Sequence, residues 1–493
     1  MSLLPRRGLR PRFDLAIAED WRKPLISTAL ALLTGLLAGL LVVALPNPLL
    51  GFGLVAGLLL GGVMLARPLF TLGMATAIAC LLPFGVIPVR VGLTFTLLEA
   101  SLLLLFVVWV LRLAAKSVDA NEKLVTTPFD WSIFLLVGLS FFALVLNVQT
   151  SGSSDTLHNY FKLILAILAF FPIINIVRTQ TAIDQLLRVI MLAGSLAGYI
   201  GLGLYLLSRS LQEQLLVALG RIGYPTEGRI LRFVEDDPTT QPQRATGTSV
   251  DPNSYGGMLV LIIALLLTQL LSPRPILRRW LLALMLPGPC IALMLTYGRG
   301  AQLGAIGIIA LIATVKYRRI WLYALPFVLA GAAILPNTFL WSRLVAGFAL
   351  EDQATKLRLS EYQNAFDIVG RYPWFGIGFG PAPDPDLQAG VSSIYLTIAE
   401  RMGLVGLVAF GLVLVLFFIY IISQFSRLTQ EKQKANLLGL TGGIVGALVV
   451  GVLDHYFFNI EFAHMVALFW LFMALAVAQI KVSRFNHTGH REL

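Results

Sequence analysis

The sequence predicts an all-α, polytopic membrane protein with about fourteen transmembrane helices and two larger loops on the side away from the cytoplasm. Three observations carry that prediction. Of 493 residues, 57% are apolar and only 13% charged, against roughly 25% charged in an average soluble domain. The apolar residues gather into runs of about 18 to 22, the length that crosses a hydrocarbon core of about 30 Å. Lys and Arg cluster in alternate connectors between those runs, which is the positive-inside pattern of membrane topology.

Taken in order, the spans fall at about 25–45, 49–66, 69–89, 94–114, 129–147, 160–177, 186–207, 255–272, 280–297, 301–316, 320–336, 403–424, 437–456 and 464–481. The stretch before the first span carries Arg6, Arg7, Arg10, Arg12, Arg22 and Lys23 and has no small-residue cleavage site after its apolar run, so it reads as a retained cytoplasmic tail. With that tail inside, the connectors holding Lys116, Lys123, Arg274, Arg278, Arg279, Lys316, Arg318, Arg319, Arg427, Lys432 and Lys434 are also inside, as is the tail with Lys481 and Arg484. The short outer connectors hold one basic residue, Arg90. An even number of spans with both termini cytoplasmic is the result. Residues 1–493 form one integral membrane domain, with outer loops at 208–254 and 337–402 long enough to carry function.

The net charge of +11 does not point to nucleic acid, because the basic residues serve topology rather than forming one patch. Cys80 and Cys290 sit inside apolar runs without CxxC spacing, so the sequence calls for neither metal nor structural disulfide. No cofactor motif appears.

The chemistry should lie where arginines defy the positive-inside bias. The first outer loop, RIGYPTEGRILRFVEDDPTTQPQRATGTSVDPNSYGG, contains Arg221, Arg229, Arg232 and Arg244. Arginine's planar fork grips phosphate bidentately and cannot be deprotonated, which suits the phosphate of a lipid head group; pairing with Glu235, Asp236 and Asp237 is the plainer explanation. Asp251-Pro252-Asn253 reads as a helix start, capped by an Asx side chain. In LTYGRGAQLG, Arg299 stands alone between two apolar runs, a costly placement that marks function by default; snorkelling at a hairpin is its bland alternative.

In the second loop, residues 356–369 have helical spacing, predicting an amphipathic surface helix with Leu357, Tyr362, Ala365, Phe366 and Val369 toward the membrane and Arg358 and Glu361 on the polar side. PWFGIGFG lacks the strand and helix that a phosphate-cradling glycine loop needs, and reads as a turn back to the bilayer. Tyr395 and Glu400 come next on a helix, Glu400 serving either catalysis or an ion pair with Arg401. In LDHYFFNIEFAH, His455 can move a proton near neutral pH or can anchor the interface with its aromatic neighbours.

The succession RATGTSVDPN, LTYGRGA, RLSEYQNAF, YPWFGIGFG and IYLTIAERMGLVG resembles the family of O-antigen ligases and O-antigen-type polysaccharide polymerases over about residues 220–425. The resemblance implies a membrane glycosyltransferase of the bacterial inner membrane, its site facing the periplasm, that moves a glycan from an undecaprenyl-diphosphate carrier to an acceptor glycan or glycolipid without a metal or nucleotide sugar. Carried over residue by residue, it points to Arg244 and Arg299 as the groups that neutralise the departing diphosphate. Glu400, Asp251 and His455 are candidate bases, and Arg221, Arg229, Arg232, Arg358 and Tyr395 candidate substrate contacts. Ligases of the family show a His shortly before the tyrosine of this helix; here Val391, Ser392 and Ser393 precede Tyr395. That departure favours a polymerase. The alternative is a transporter or flippase for lipid-linked sugars or for small anions such as bicarbonate.

Overall fold

The computed structural model describes residues 59–87, 94–116, 124–147, 152–226, 228–319, 353–384 and 386–488, with isolated positions besides. The chain divides into two compact units, Met1–Arg67 and Pro68–Leu493. The helices that build the site all belong to the second unit.

Among the described residues the regular elements of this unit are helices, joined by loops that hold two isolated β-bridges, Val86 with Thr96 and Phe233 with Gln243. Its membrane-length or apolar helices are α1 (Pro68–Leu81), α2 (Leu97–Lys116), α3 (Asp130–Leu146), α4 (Ser154–Ile176), α5 (Gln180–Leu206), then, after a short surface helix α6 (Arg209–Ala218), α7 (Pro252–Leu271), α8 (Arg279–Leu295) and α9 (Arg299–Val315). A second surface helix, α10 (Gln353–Arg371), precedes α11 (Ile394–Phe425), α12 (Glu431–Leu453) and α13 (Ala463–Thr488). Seven of these are long and apolar enough to cross a membrane and four more are shorter apolar helices. Together they match, one for one, the predicted spans from 69–89 to 301–316 and from 403–424 to 464–481. The span at 25–45 and nearly all of that at 320–336 lie outside the described residues, as does half of the span at 49–66.

Two helices form the centre. The apolar stretches of α13 and α7 are 94% and 83% buried within the protein, as expected of helices apolar on every side. Small residues let the others close on them: Gly446 of α12 faces Val260 and Ile308, and Gly443 faces Phe472. A chain of buried amides adds directional bonds. Gln269 donates to Asn436 (2.8 Å), Asn436 to Gln479 (2.9 Å) and Gln479 to Gln180 (2.8 Å), linking α7, α12, α13 and α5.

The connectors assigned to opposite sides of the membrane gather at opposite ends of the bundle. At one end Lys432 pairs with Asp184, Lys316 with Glu431 (2.7 Å), and Lys481 donates to the Thr126 carbonyl (2.7 Å). At the other, Val86 meets Ile222 (2.8 Å) and Tyr362 donates to the Val452 carbonyl (3.0 Å). This second end holds the long loops.

Two local expectations change. The surface helix is present as α10, but its inward face is polar: Arg358, Glu361 and Tyr362 turn toward the protein with Ala365 and Ile368, while Leu357 and Phe366 are exposed. The partners decide this. Glu361 accepts from the Ser392 amide (3.0 Å) and Arg358 reaches Asp454 (3.5 Å), contacts only the inner face can make. The span predicted at 403–424 starts earlier, at Ile394, but is broken at Gly403, whose φ of 68° and ψ of −173° interrupt the helix. The YPWFGIGFG turn fills the break. The amides of Ile377 and Gly378 donate to the carbonyls of Glu400 (2.9 Å) and Arg401 (3.0 Å), and the amide of Leu404 donates to the Pro373 carbonyl (2.7 Å). Gly376 (φ 64°) and Gly403 are required on two counts, the left-handed backbone and a contact too close for any Cβ.

Candidate active site

The site is assembled where α7, α9, α10 and α12 end. Asp251 caps α7, its Oδ1 accepting from the amides of Asn253 (2.8 Å) and Ser254 (2.9 Å), with Pro252 in the first turn. The sequence signal for that cap is met. Arg244, seven residues earlier, lies in an extended segment whose amide donates to the Arg232 carbonyl (2.8 Å). Its Nε donates to the Thr296 carbonyl (2.7 Å) and its terminal nitrogen to the Asn253 side chain. Arg244 therefore ties the first outer loop to the α8–α9 turn, and Arg299 begins α9 three residues beyond Thr296. Both corners carry non-glycine residues in the left-handed region, Val250 (φ 63°) before Asp251 and Tyr297 (φ 51°) before Gly298 and Arg299. Such geometry costs about 1–3 kcal/mol per residue and persists where its surroundings enforce it.

Around this tie further groups converge. Asp454, beyond the end of α12, is 2% exposed and lies 3.5 Å from Arg358 of α10. Its Oδ2 has no hydrogen-bond partner. Burial pushes its pKa up to about 7, against the opposing pull of Arg358 and Arg244. Tyr456, itself buried, adds its phenol beside Asp251 and Asp454. Arg244 itself is held below the usual guanidinium value by burial, with Asp251 and Asp454 opposing that effect. Two guanidiniums and two carboxyls thus share one desolvated space.

His455, next to Asp454, faces a different space, a cavity of about 450 Å³ lined also by Arg401, Asp155 and Asn159 of α4, Phe379 and Glu461. Burial lowers the His455 pKa below the usual histidine value, so the ring is neutral at pH 7, and its Nδ1 has no hydrogen-bond partner. Arg401 is held in place by the carbonyls of Gly378 (3.3 Å) and Gly380 and by Glu400, 3.7 Å away. Glu400 is fully buried and accepts from the Gly390 amide (2.8 Å).

The sequence-derived candidates fall in several places. Arg244, Asp251 and Arg358 come together around Asp454. His455 lines the cavity, and Glu400 stands behind Arg401 at its wall. Arg299 is at the head of α9, half-buried, and neither it nor Arg244 lines the cavity. Arg229 and Arg232 line a separate small recess of about 70 Å³, Arg229 also donating to the Asp236 carbonyl. Arg221 is exposed on a short turn, Leu219–Ile222. Tyr395 donates to the Leu448 carbonyl (3.0 Å) and joins α11 to α12. The residues not singled out from sequence are Arg401, Asp454, Asp155 and Asn159. The first two adjoin residues that were. Asp155 and Asn159 carry no signal beyond a polar face at the start of an apolar helix. No group of three or more His, Cys, Asp and Glu residues suited to a metal occurs among the described residues.

A bundle of apolar helices with half-buried arginines and a polar cavity at one end defines a class, the multi-pass membrane proteins that keep a polar site at the ends of their helices. Residues 281–411 match the family model described as O-antigen ligase, and the match bears out the resemblance to the O-antigen ligase and polymerase family. It spans α8 to the middle of α11 and includes Arg299, Arg358, Glu400 and Arg401; Arg244, Asp251 and His455 lie outside it. The family implies a membrane glycosyltransferase activity of the O-antigen ligase type. No curated protein matches the chain.

Proposed function

We propose that this protein transfers a glycan from an undecaprenyl-diphosphate carrier to an acceptor sugar at the periplasmic face, as a polymerase rather than a lipid-A-core ligase. The observation that carries the proposal is the bond from Arg244 to the Thr296 carbonyl. It fixes one half-buried guanidinium against the turn that leads to a second, Arg299, at the bundle end away from the basic connectors. Preorganised cations at a dehydrated site stabilise developing negative charge by a few kcal/mol per group, and here they take the part that a metal plays elsewhere.

In the proposed step an acceptor hydroxyl oxygen attacks the anomeric carbon of the carrier-linked glycan. The bond from that carbon to the diphosphate oxygen breaks, its electron pair leaves with the diphosphate, and Arg244 and Arg299 balance the charge. The hydroxyl proton passes to the imidazole of His455. Attack in line with the leaving group inverts the anomeric configuration. Of the three sequence-derived bases, His455 is favoured because Asp251 is committed to capping α7 and Glu400 to Gly390 and Arg401, whereas His455 is neutral and faces the cavity. The Ser392 amide donates to Glu361 (3.0 Å) and the Ser393 hydroxyl to the Gly451 carbonyl (3.3 Å); neither serine carries the imidazole of the ligase histidine, which supports the polymerase reading. The family match gives no support to a transporter.

Reconstitution with an undecaprenyl-diphosphate oligosaccharide tests this. Growth of glycan length, abolished by Arg244→Ala and by Arg299→Ala, is the expected result. Full activity in both variants refutes the assignment of the diphosphate contacts.

A further inference from the structure

We infer that the cavity beside His455 is the acceptor-sugar subsite, and that it selects a neutral or amino-bearing sugar ring against a carboxylated one. The inference rests on the glycosyltransferase reading and deepens it. The lining has the two ingredients of sugar recognition. Leu163, Phe379 and Phe458 give apolar contact for the C–H face of a ring, while the side-chain amides of Asn159 and Asn459 can donate to hydroxyls, their oxygens already accepting from Lys162 (3.0 Å) and from the Glu461 amide (2.7 Å). The aromatic wall is fixed by its own packing, Phe379 against Tyr160 (4.9 Å between ring centres) and Phe458 against Phe410 (6.2 Å).

Charge supplies the selectivity. Asp155 and Glu461 are the carboxylates of the wall and Arg401 its guanidinium, and His455 is neutral at pH 7. Arg401 is also matched from behind by Glu400 (3.7 Å). On the lining itself two carboxylates face one guanidinium, while Lys162, which donates to Asn159 Oδ1 (3.0 Å), stands behind the wall rather than on it. A diphosphate would be repelled from it, which fits the placement of Arg244 outside this cavity, and so would a uronate. A free amino group would be attracted. Asp155, Asn159 and Glu461 lie outside residues 281–411, so this choice of sugar is made by parts of the chain beyond the matched segment.

The test uses the full-length protein in detergent and ligand-observed NMR with three trisaccharide probes, built from glucose, from glucosamine with free amines, and from glucuronate. Saturable binding of the first two is expected, with the glucuronate probe weaker by about threefold for each opposing carboxylate at low ionic strength, the size of an exposed charge interaction. Salt should shrink the difference. Asp155→Asn with Glu461→Gln should abolish the penalty on glucuronate, read as the ratio of the glucuronate and glucose affinities measured on the same variant, and thermal melts of the variants confirm folding. Equal binding of all three probes, no saturable binding of any, or discrimination that survives the double substitution overturns the inference. The glycosyltransferase reading fails separately, if undecaprenyl-diphosphate glycan is not turned over while the probes still bind with this preference.

Discussion

Gly300 packs directly against the carboxyl group of Asp454: a Cβ at position 300 would collide with Asp454 Oδ2. The residue after Arg299 has to be small for α9 to begin where it does. Gly300→Ala should destabilise the protein by about 1–3 kcal/mol, the range for overpacking. By displacing Arg299 it should lower glycan transfer by about tenfold to a hundredfold. Gly411→Ala, where nothing lies within 4 Å of the new methyl group, is the control and should leave both unchanged. Melting curves and a transfer assay on the same preparations separate the two effects.

His455 supplies a pH signature. A base acts only when unprotonated, and burial lowers the pKa of this ring, so the rate should be maximal at pH 7 and fall as the pH drops through a value below the usual one for histidine. His455→Ala should lose that acid limb along with about 10²–10⁴-fold in rate. An acid limb that persists unchanged in the variant would assign the proton transfer to another group.

Asp454 makes stability depend on pH in the opposite sense from an ordinary paired carboxylate. Its folded pKa, near 7, is above the unfolded value of 3.8, so the folded state holds the proton more tightly than the unfolded state does. The associated stability is complete below the unfolded value and is lost as the pH rises through 7. Asp454→Asn should therefore gain melting temperature relative to the wild type between pH 5 and pH 8. Parallel curves for the two proteins across that range would contradict the burial-driven shift.

The break at Gly403 should tolerate no side chain. In Gly403→Ala the methyl group meets the Trp374 carbonyl and the backbone must hold φ 68°, so a loss above about 3 kcal/mol is expected, as for strain compounded with a core clash. Size-exclusion profiles and yield in detergent read this directly.

The amide chain offers a contrast. Gln479→Leu removes bonds to Asn436 and Gln180 far from the site, and should cost about 1–2 kcal/mol, as interhelical hydrogen bonds do in membrane proteins. Activity per folded molecule should not change.

The helices were legible because the bilayer imposes a length and a polarity on each span, and every predicted span that falls on described residues has its helix. The caps and turns at Asp251 and PWFGIGFG were legible for a similar reason, since they rest on local backbone chemistry. What was not legible depends on contacts between distant segments. Nothing in residues 356–369 says that Arg358 and Glu361 face inward, because the reasons, Asp454 and the Ser392 amide, lie 96 and 31 residues away. Nor does AERMG show that Gly403 is a break, because the groups that complete it come from residues 373–378. Arg401 was visible only as a partner for Glu400, and its place on the cavity wall is set by the same break.

That break also sets a depth. At about 1.5 Å per residue, the uninterrupted part of α11 from Gly403 onward is about 33 Å long, by itself enough for a hydrocarbon layer of about 30 Å. The nine residues above it are therefore relieved of any duty to span. They can carry Glu400 and Arg401 in the headgroup layer, where a charged pair costs far less than in oil, and where a sugar still tethered to its lipid arrives at the same height.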